Sequence, residues 1–488
     1  MGEAENLMYW VNFLHFYQPP TQKRHWVDRI TAESYRRLID GFLSHPQARV
    51  TLNINAVLLE FWDEYGHHDV LAGLRTLLER GQIELTGSAK YHPLLPKLPV
   101  EEIVRQVRLN DESSRKYLGD LYRPRGFFPP EMAYDRKVAK VAADLGYEWI
   151  IAEELSLNHT FGSVDYSKIY EVAGARVRRD EAEPGSGGGD LLKVFFRDRG
   201  FSYKILSGQL GTPALFLDAL GDRVSRREYL LTAMDGETFG HHRPGMDALL
   251  MGLFETTGLE AVLVSELADL FEAREVVETL PATWALMGHD LGRGAYLARW
   301  EDSENEVHQM QWELTELAIR SIQDSRFKIQ DSELGEGKLS PEQERWLEAR
   351  HLLDKALHSD QYWWASAKPW WSLEMIERGA KELRDVVLGV PGVPEKERER
   401  SQSLYIKIIT LGFDWQREGR VEELARDEDE AVRMRTDEGL PNLPPEEVEK
   451  MIAVIRKEMG EVAKNQEFER AAQLRDRIKE LEGYKNDG

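Results

Sequence analysis

Glu131 and Asp235 are the acidic residues whose settings point most directly to chemistry. Glu131 follows the run Gly126-Phe127-Phe128-Pro129-Pro130, and Asp235 closes the apolar run YLLTAMD that begins at Tyr229. Proline fixes φ and withholds an amide donor, so the proline pair ends sheet pairing and points Glu131 in a defined direction. The purely structural alternative is a helix N-terminus, which also favours an acid. Other apolar runs end in polar groups too: His15 and Gln18 in HFYQPP, Glu84 in GQIELTG with His92 just beyond, and Arg197-Asp198 in VFFRD. After Asp235 the segment DGETFGHHRPG carries His241. A core or salt-bridge role explains any one of these residues, but poorly explains why so many share the same end of their runs. Two carboxylates from different strands, near aromatics and neutral hydrogen-bonding groups, suit cleavage of a glycosidic bond. One attacks the anomeric carbon or activates water, while the other stays protonated to release the leaving oxygen. QYWWAS, which includes Trp363, and KPWWS offer aromatic faces for sugar rings, although tryptophans on a helix serve a core equally well.

Such residues meet only if the chain brings its strand ends together. Roughly the first 300 residues alternate short apolar runs with helical stretches, the pattern of strand-helix repeats around a parallel sheet. Strand candidates start at Met8 (MYWVNFLHF), Val50 (VTLNINAVLLEFW), Gln82 (QIELTGS), Arg125 (RGFFP), Glu148 (EWIIAEE), Lys193 (KVFFRD) and Tyr229 (YLLTAMD). This predicts an α/β fold with a closed or nearly closed barrel, an open sheet being the alternative, and in a barrel the polar strand ends converge on one rim. The expected organisation is a barrel over 1–300, a helical domain completing the active site over 301–426, a linker over 427–445 and a helical hairpin over 446–488. EAEPGSGGGD, residues 181–190, reads as a surface loop.

Composition narrows the function classes. The 488 residues contain no cysteine, which excludes disulfides, thiolate catalysis and cysteine-ligated metals. A formal net charge of −23 disfavours binding to a phosphate backbone, whereas a neutral polymer is not repelled. No apolar run reaches the roughly 18 to 20 residues of a membrane span, and the acidic N-terminus lacks the pattern of a signal peptide. A cytoplasmic protein is expected, and the charged fraction of 31% fits a thermophile.

The ordered set HFYQPP, GQIELTGSAKYHPLLP, FFPPEMAYD, TAMDGETFG and HSDQYWW resembles the five sequence regions of glycoside hydrolase family 57. The resemblance covers roughly residues 7 to 415. It implies an incomplete (β/α)7 barrel followed by helices, acting on α-glucans or maltooligosaccharides by a retaining mechanism without metal or cofactor. On this resemblance Glu131 is the nucleophile and Asp235 the general acid/base. His15, Glu84 and Asp360 match positions lining the family's substrate site, as does Trp284. Gln18, His92, Arg197, His241 and Trp363 complete the expected substrate-binding set. Arg197 and His15 are candidate donors to an ionised Glu131, and Glu84 is a candidate to hold sugar hydroxyls or orient His15. Pro-Glu-Met-Ala-Tyr at the nucleophile departs from the Thr-Glu-Arg of many glucanotransferases and is closer to the amylase and branching-enzyme style. Tyr17 stands where other members often carry a second histidine. Amylase-type hydrolysis of α-1,4-glucans is therefore the first expectation, with 4-α-glucanotransfer or branching as alternatives.

More remote readings are a metal-dependent deacetylase and a non-catalytic carbohydrate-binding protein. The adjacent pairs His67-His68 and His241-His242 point in divergent directions, against a metal site. At the C-terminus, KNQEFERAAQLRDRIKELE resembles the UVR motif of the UvrB and UvrC repair proteins. From Glu446 to Gly488 nine Lys or Arg face eleven Asp or Glu, a net of −2. A DNA-gripping surface should be basic, so a protein partner or self-association is expected there rather than nucleic acid. The structural alternative is a hairpin folded back on its own helical domain.

Overall fold

The computed structural model describes residues 8–178, 189–329, 339–426 and 443–486. Most of the expected loop at 181–190 and of the linker at 427–445 lies outside the described residues. Two compact units result. The first takes in the described parts of Met1–Lys90, Pro99–Trp284 and Thr436–Gly488, and the second those of Tyr91–Leu98 and Ala285–Arg435.

The first unit holds ten strands: β1 (Met8–Phe16), β2 (Val50–Ile54), β3 (Ile83–Leu85), β4 (Gly126–Phe127), β5 (Trp149–Glu153), β6 (Ile169–Arg176), β7 (Leu191–Arg197), β8 (Tyr229–Asp235), β9 (Leu259–Ala261) and β10 (Arg274–Val277). One sheet runs β3-β2-β1-β8 with β9 also on β1, and the other runs β10-β6-β7-β5-β4. All pairings are parallel except β6 with β7. β1 is buried almost throughout, which is why its sequence is a continuous apolar run rather than an alternation.

The strand expected from Val50 is shorter than its apolar run. It stops at Ile54, and Ala56–Tyr65 is a helix whose first amide donates to Asn110 Oδ1 at 2.9 Å. Periodicity cannot separate strand from buried helix in such a run; Asn55, extended at the cap, makes the break. β6, β9 and β10 went unforeseen. Two of them are short and exposed along much of their length, so their residues carry little apolar signal.

The two sheets approach each other at two points. Gly87 forms a parallel bridge with Phe127, its amide donating to the Gly126 carbonyl at 2.8 Å, and Asp198 N donates to Leu231 O at 2.7 Å. Glycine is required at the first point. A Cβ on Gly126 would lie 2.2 Å from the Trp149 ring, and one on Gly87 would lie 2.1 Å from the Tyr147 hydroxyl. Parallel strand ends are thereby held in one neighbourhood.

The C-terminal hairpin, helices Pro445–Lys464 and Phe468–Asn486, packs within this first unit. Thr212 Oγ1 donates to Glu447 Oε2 at 2.5 Å, and Met451 lies over Gly211, where a Cβ would meet its Cε at 2.2 Å. The hairpin thus docks on the α/β unit, not back on the helical domain as the structural alternative had it.

The second unit is helical, as its sequence suggested, built on Glu306–Gln323, Pro341–Ala356, Leu373–Gly389 and Glu395–Arg417. Ser340 and Gln343 form a reciprocal capping box that starts the second of these. Tyr362 stacks on Trp312 at 4.2 Å, which fixes the aromatic segment against the bundle. No helix among the described residues is long and apolar enough to cross a membrane.

Across the β5–β7 register Glu153 stands opposite Arg197, and it forms ion pairs with Arg197 at 2.7 Å and Arg199 at 3.0 Å, all three fully or nearly buried. Replacing Glu153 with Ala leaves two guanidinium groups uncompensated and is expected to cost about 3–5 kcal/mol of stability by chemical denaturation. A loss below about 1 kcal/mol would mean that both guanidiniums find other partners.

Candidate active site

Strand register assembles the first part of the site. β1 pairs His15 with Asn53 on β2 and with Asp235 on β8, so the three side chains share one level and one face of the sheet. Asn53 Nδ2 donates to Thr86 Oγ1 at 2.9 Å, which leaves its Oδ1 to accept from His15 Nδ1 at 2.7 Å. This places a proton on Nδ1 of His15. Asn53, unremarked in the sequence, is thus the residue that orients His15.

Glu131 arrives from β4 through Phe128 and the two prolines into a tight turn, Pro130–Met132. Glu131 and Met132 take left-handed φ values of 60° and 47°, a conformation that costs non-glycine residues energy and persists where surrounding contacts enforce it. Trp284 supplies those contacts. Its Nε1 donates to Glu131 Oε2 at 3.0 Å and its amide approaches the Glu131 carbonyl at 3.4 Å. The Trp284 carbonyl in turn accepts from Arg199 at 3.1 Å and from Tyr203 at 3.2 Å. His15 lies 4.9 Å from the Phe128 ring and 5.8 Å from Trp284, so Glu131, Trp284 and His15 belong to one cluster beside Asp235.

Asp235 is not alone on its loop. Glu237, two residues on and buried, accepts from Gln18 Nε2 at 2.9 Å and from the Tyr35 hydroxyl. Burial raises the pKa of Asp235, opposed in part by the Arg197 charge. Burial raises Glu237 as well, with a further push from Asp235. Two carboxyls this close share protons instead of ionising independently. Gln18 and Tyr35 oppose the rise at Glu237 and Arg197 opposes it at Asp235, so the two carboxyls hold their proton as a pair. The Asp-Gly-Glu spacing was the signal that could have marked Glu237.

The remaining candidates fall in several places. Gln18 is buried and holds Glu237 and Tyr35. Arg197 donates to the Ala233 carbonyl at 3.3 Å, and its ion pair runs to Glu153. Glu84 lies level with Thr51, one layer deeper than His15, because residues two apart on a strand share a face but not a height. It accepts from Thr51 Oγ1 at 2.7 Å and Ser265 N at 3.1 Å, anchoring the start of helix Val264–Leu270 instead of orienting His15. His241 bonds Glu33 at 2.5 Å.

His92, Asp360 and Trp363 belong to the second unit. There His92 Nδ1 meets Ser359 Oγ at 3.0 Å, His358 meets Asp360 at 3.1 Å, and Trp363 packs 5.1 Å from Trp300. Among the described residues no three His, Asp or Glu side chains gather to hold a metal ion.

The raised carboxyls make stability depend on pH with a definite sign. The folded state holds protons that the unfolded chain releases near pH 4, so this contribution is complete below that value and is lost as pH rises through the folded pKa values. Relative to a Glu237→Gln variant, wild type is expected to lose stability between about pH 4.5 and 8, since Glu237 is pushed up to about 8 in the fold, by up to about 1.4 kcal/mol per pH unit. Parallel stability curves for the two proteins would contradict a buried, proton-sharing pair.

The chain is similar to known proteins in sequence and in fold. The sequence matches the profile of Glycosyl hydrolase family 57 over residues 8–280 and that of the UvrB/uvrC motif over 449–484. It is 25% identical over 236 residues to an alpha-amylase of Pyrococcus horikoshii, covering 47% of this chain and 34% of that protein. It is 26% identical over 234 residues to a 4-alpha-glucanotransferase of Thermococcus litoralis, covering 47% and 33%. The match thus spans about a third of the length of each of these relatives. Its fold resembles the crystal structure of a branching enzyme of the same family from Thermococcus kodakaraensis, with a TM-score of 0.56 at 15% identity over 82% of this chain and 94% of that one. With more than half its length matched by the family profile, and with His15, Glu131 and Asp235 drawn together inside that stretch, the chain belongs to glycosyl hydrolase family 57.

Proposed function

We propose that this protein is an α-glucan-active enzyme that cleaves α-glucosidic bonds with retention, through a covalent intermediate on Glu131 and with Asp235 as general acid/base. The observation that carries the reading is the pairing of a clamped carboxylate, Glu131 on Trp284, with a half-buried Asp235 of raised pKa at the end of β8. Glu131 attacks the anomeric carbon as the glycosidic bond breaks, and the proton of Asp235 passes to the leaving oxygen. Asp235, now ionised, takes a proton from water or from a sugar hydroxyl, whose oxygen then displaces Glu131 and restores both groups. Trp284 fixes one oxygen of the nucleophile, and His15 is proposed to contact sugar. Arg197 can stabilise the ionised Asp235 only in part, since its charge is shared with Glu153.

The two sheets, joined at Gly87–Phe127 and Asp198–Leu231, support an incomplete (β/α)7 barrel built from β1 to β5, β7 and β8. His92, Asp360 and Trp363 are proposed to contact sugar. Hydrolysis of α-1,4-glucans is preferred over 4-α-glucanotransfer or branching, on the motif style around Glu131. The UVR-like hairpin is proposed to meet a protein partner, given its acidic balance.

Incubation with maltoheptaose, followed by chromatography, tests this. Shorter sugars alone are expected; products longer than the substrate would replace hydrolysis by transfer. Glu131→Gln and Asp235→Asn are each expected to lower kcat by a factor on the order of 10³. Full activity in either variant would end the assignment.

A further inference from the structure

The loop that follows Asp235 is fastened at nearly every residue. The Gly236 carbonyl accepts from Ser34 Oγ at 2.8 Å, the Glu237 carbonyl from His242 N at 2.8 Å, and the Thr238 carbonyl from Arg243 N at 3.1 Å. Gly240, at φ 110°, approaches the segment Thr31–Tyr35 so closely that a Cβ there would lie 2.1 Å from the Glu33 carbonyl oxygen. That same segment supplies Ser34 and Tyr35, which hold Gly236 and Glu237. Loop and segment thus form one clamp around Glu237.

The clamp is completed from the C-terminal hairpin. Arg470, its side chain 5% exposed, donates to the Gly240 carbonyl at 2.5 Å and to Glu458 at 3.0 Å, and lies 3.6 Å from the Glu33 carboxylate. Glu33 also receives His241 at 2.5 Å and Arg29 at 2.9 Å, and Glu458 also pairs with Arg37 at 3.0 Å. Hairpin docking does not depend on these contacts alone, since Glu447 and Met451 meet Thr212 and Gly211 independently. Arg470 is therefore poised to do something beyond holding the hairpin on. It touches both halves of the clamp, the loop at Gly240 and the segment at Glu33, and each half carries a group bonded to Glu237 or its neighbour.

We infer that Arg470 is a positioning residue for the reaction: the appended hairpin finishes the catalytic loop, fixing Glu237 and through it the placement of Asp235. This rests on the role proposed above for Asp235. The UVR-like hairpin is on this view part of the working enzyme and not a separable attachment.

The test uses full-length Arg470→Met, Arg470→Lys and Glu447→Ala proteins. Glu447→Ala removes a hairpin contact that does not touch the loop. Kinetics on maltoheptaose are paired with amide hydrogen exchange over 31–35 and 236–245. Arg470→Met is expected to lower kcat by on the order of tenfold to a hundredfold with KM within about twofold, and to speed exchange in both segments. Arg470→Lys should recover most of kcat, while Glu447→Ala should leave kcat and exchange near wild type. Unchanged kcat and exchange in Arg470→Met would overturn the inference. So would a loss in Glu447→Ala as large as in Arg470→Met, which would reduce Arg470 to a docking contact. Wild type inert on maltoheptaose, with exchange still accelerated in Arg470→Met, would uphold the clamp and defeat the functional reading instead.

Discussion

Two carboxyl groups, the half-buried Asp235 and the buried Glu237, are separated by a single glycine, and they cannot both be charged at low cost. Much of the local structure manages that constraint. Gln18 and Tyr35 give Glu237 its donors. Arg197, whose charge lowers Asp235, is itself paired with Glu153. A free guanidinium would pull Asp235 down to an ordinary ionised carboxylate; one already neutralised leaves room for a raised pKa. The ion triad of Glu153, Arg197 and Arg199 therefore has a consequence beyond stability, because Arg199 also carries the carbonyl of Trp284, the donor to Glu131.

Glu131 shows the complementary device. Its left-handed backbone is an unfavourable local choice, and the prolines before it leave the chain no hydrogen-bonded continuation of β4. Trp284 and the Tyr134–Ala282 bridge hold the turn in place. One carboxylate is thus placed by backbone strain and clamping, the other by strand register and desolvation. The proposed mechanism needs both: a nucleophile that stays put and an acid that stays protonated.

The sequence was most legible where local chemistry and tertiary role agree. The seven anticipated strands each overlap an observed strand because parallel strands buried on both faces must be apolar, and FFPPE announced its turn through proline alone. Legibility ended where side chains depend on neighbours distant in sequence. Asn55 turned an apolar run from strand to helix, and Glu84 proved to be one layer too deep to orient His15, a height set by strand stagger. Asn53 and Glu237 were passed over since an amide in a strand and an acid after glycine are ordinary in isolation. Arg470 lies in a motif recognised for other positions, and only folding brings it to Gly240, 230 residues away.

The central claim is that Glu131 becomes covalently glycosylated while Asp235 manages the proton. The most direct measurement is mass spectrometry of the protein after incubation with a 5-fluoro-α-glucosyl fluoride, a reagent that slows turnover of a glycosyl-enzyme, followed by peptide mapping. The account predicts one added glucosyl unit on the peptide containing Glu131, absent in Glu131→Gln. A label on any other carboxylate, or turnover with no covalent species and inverted anomeric configuration in the product, would contradict it.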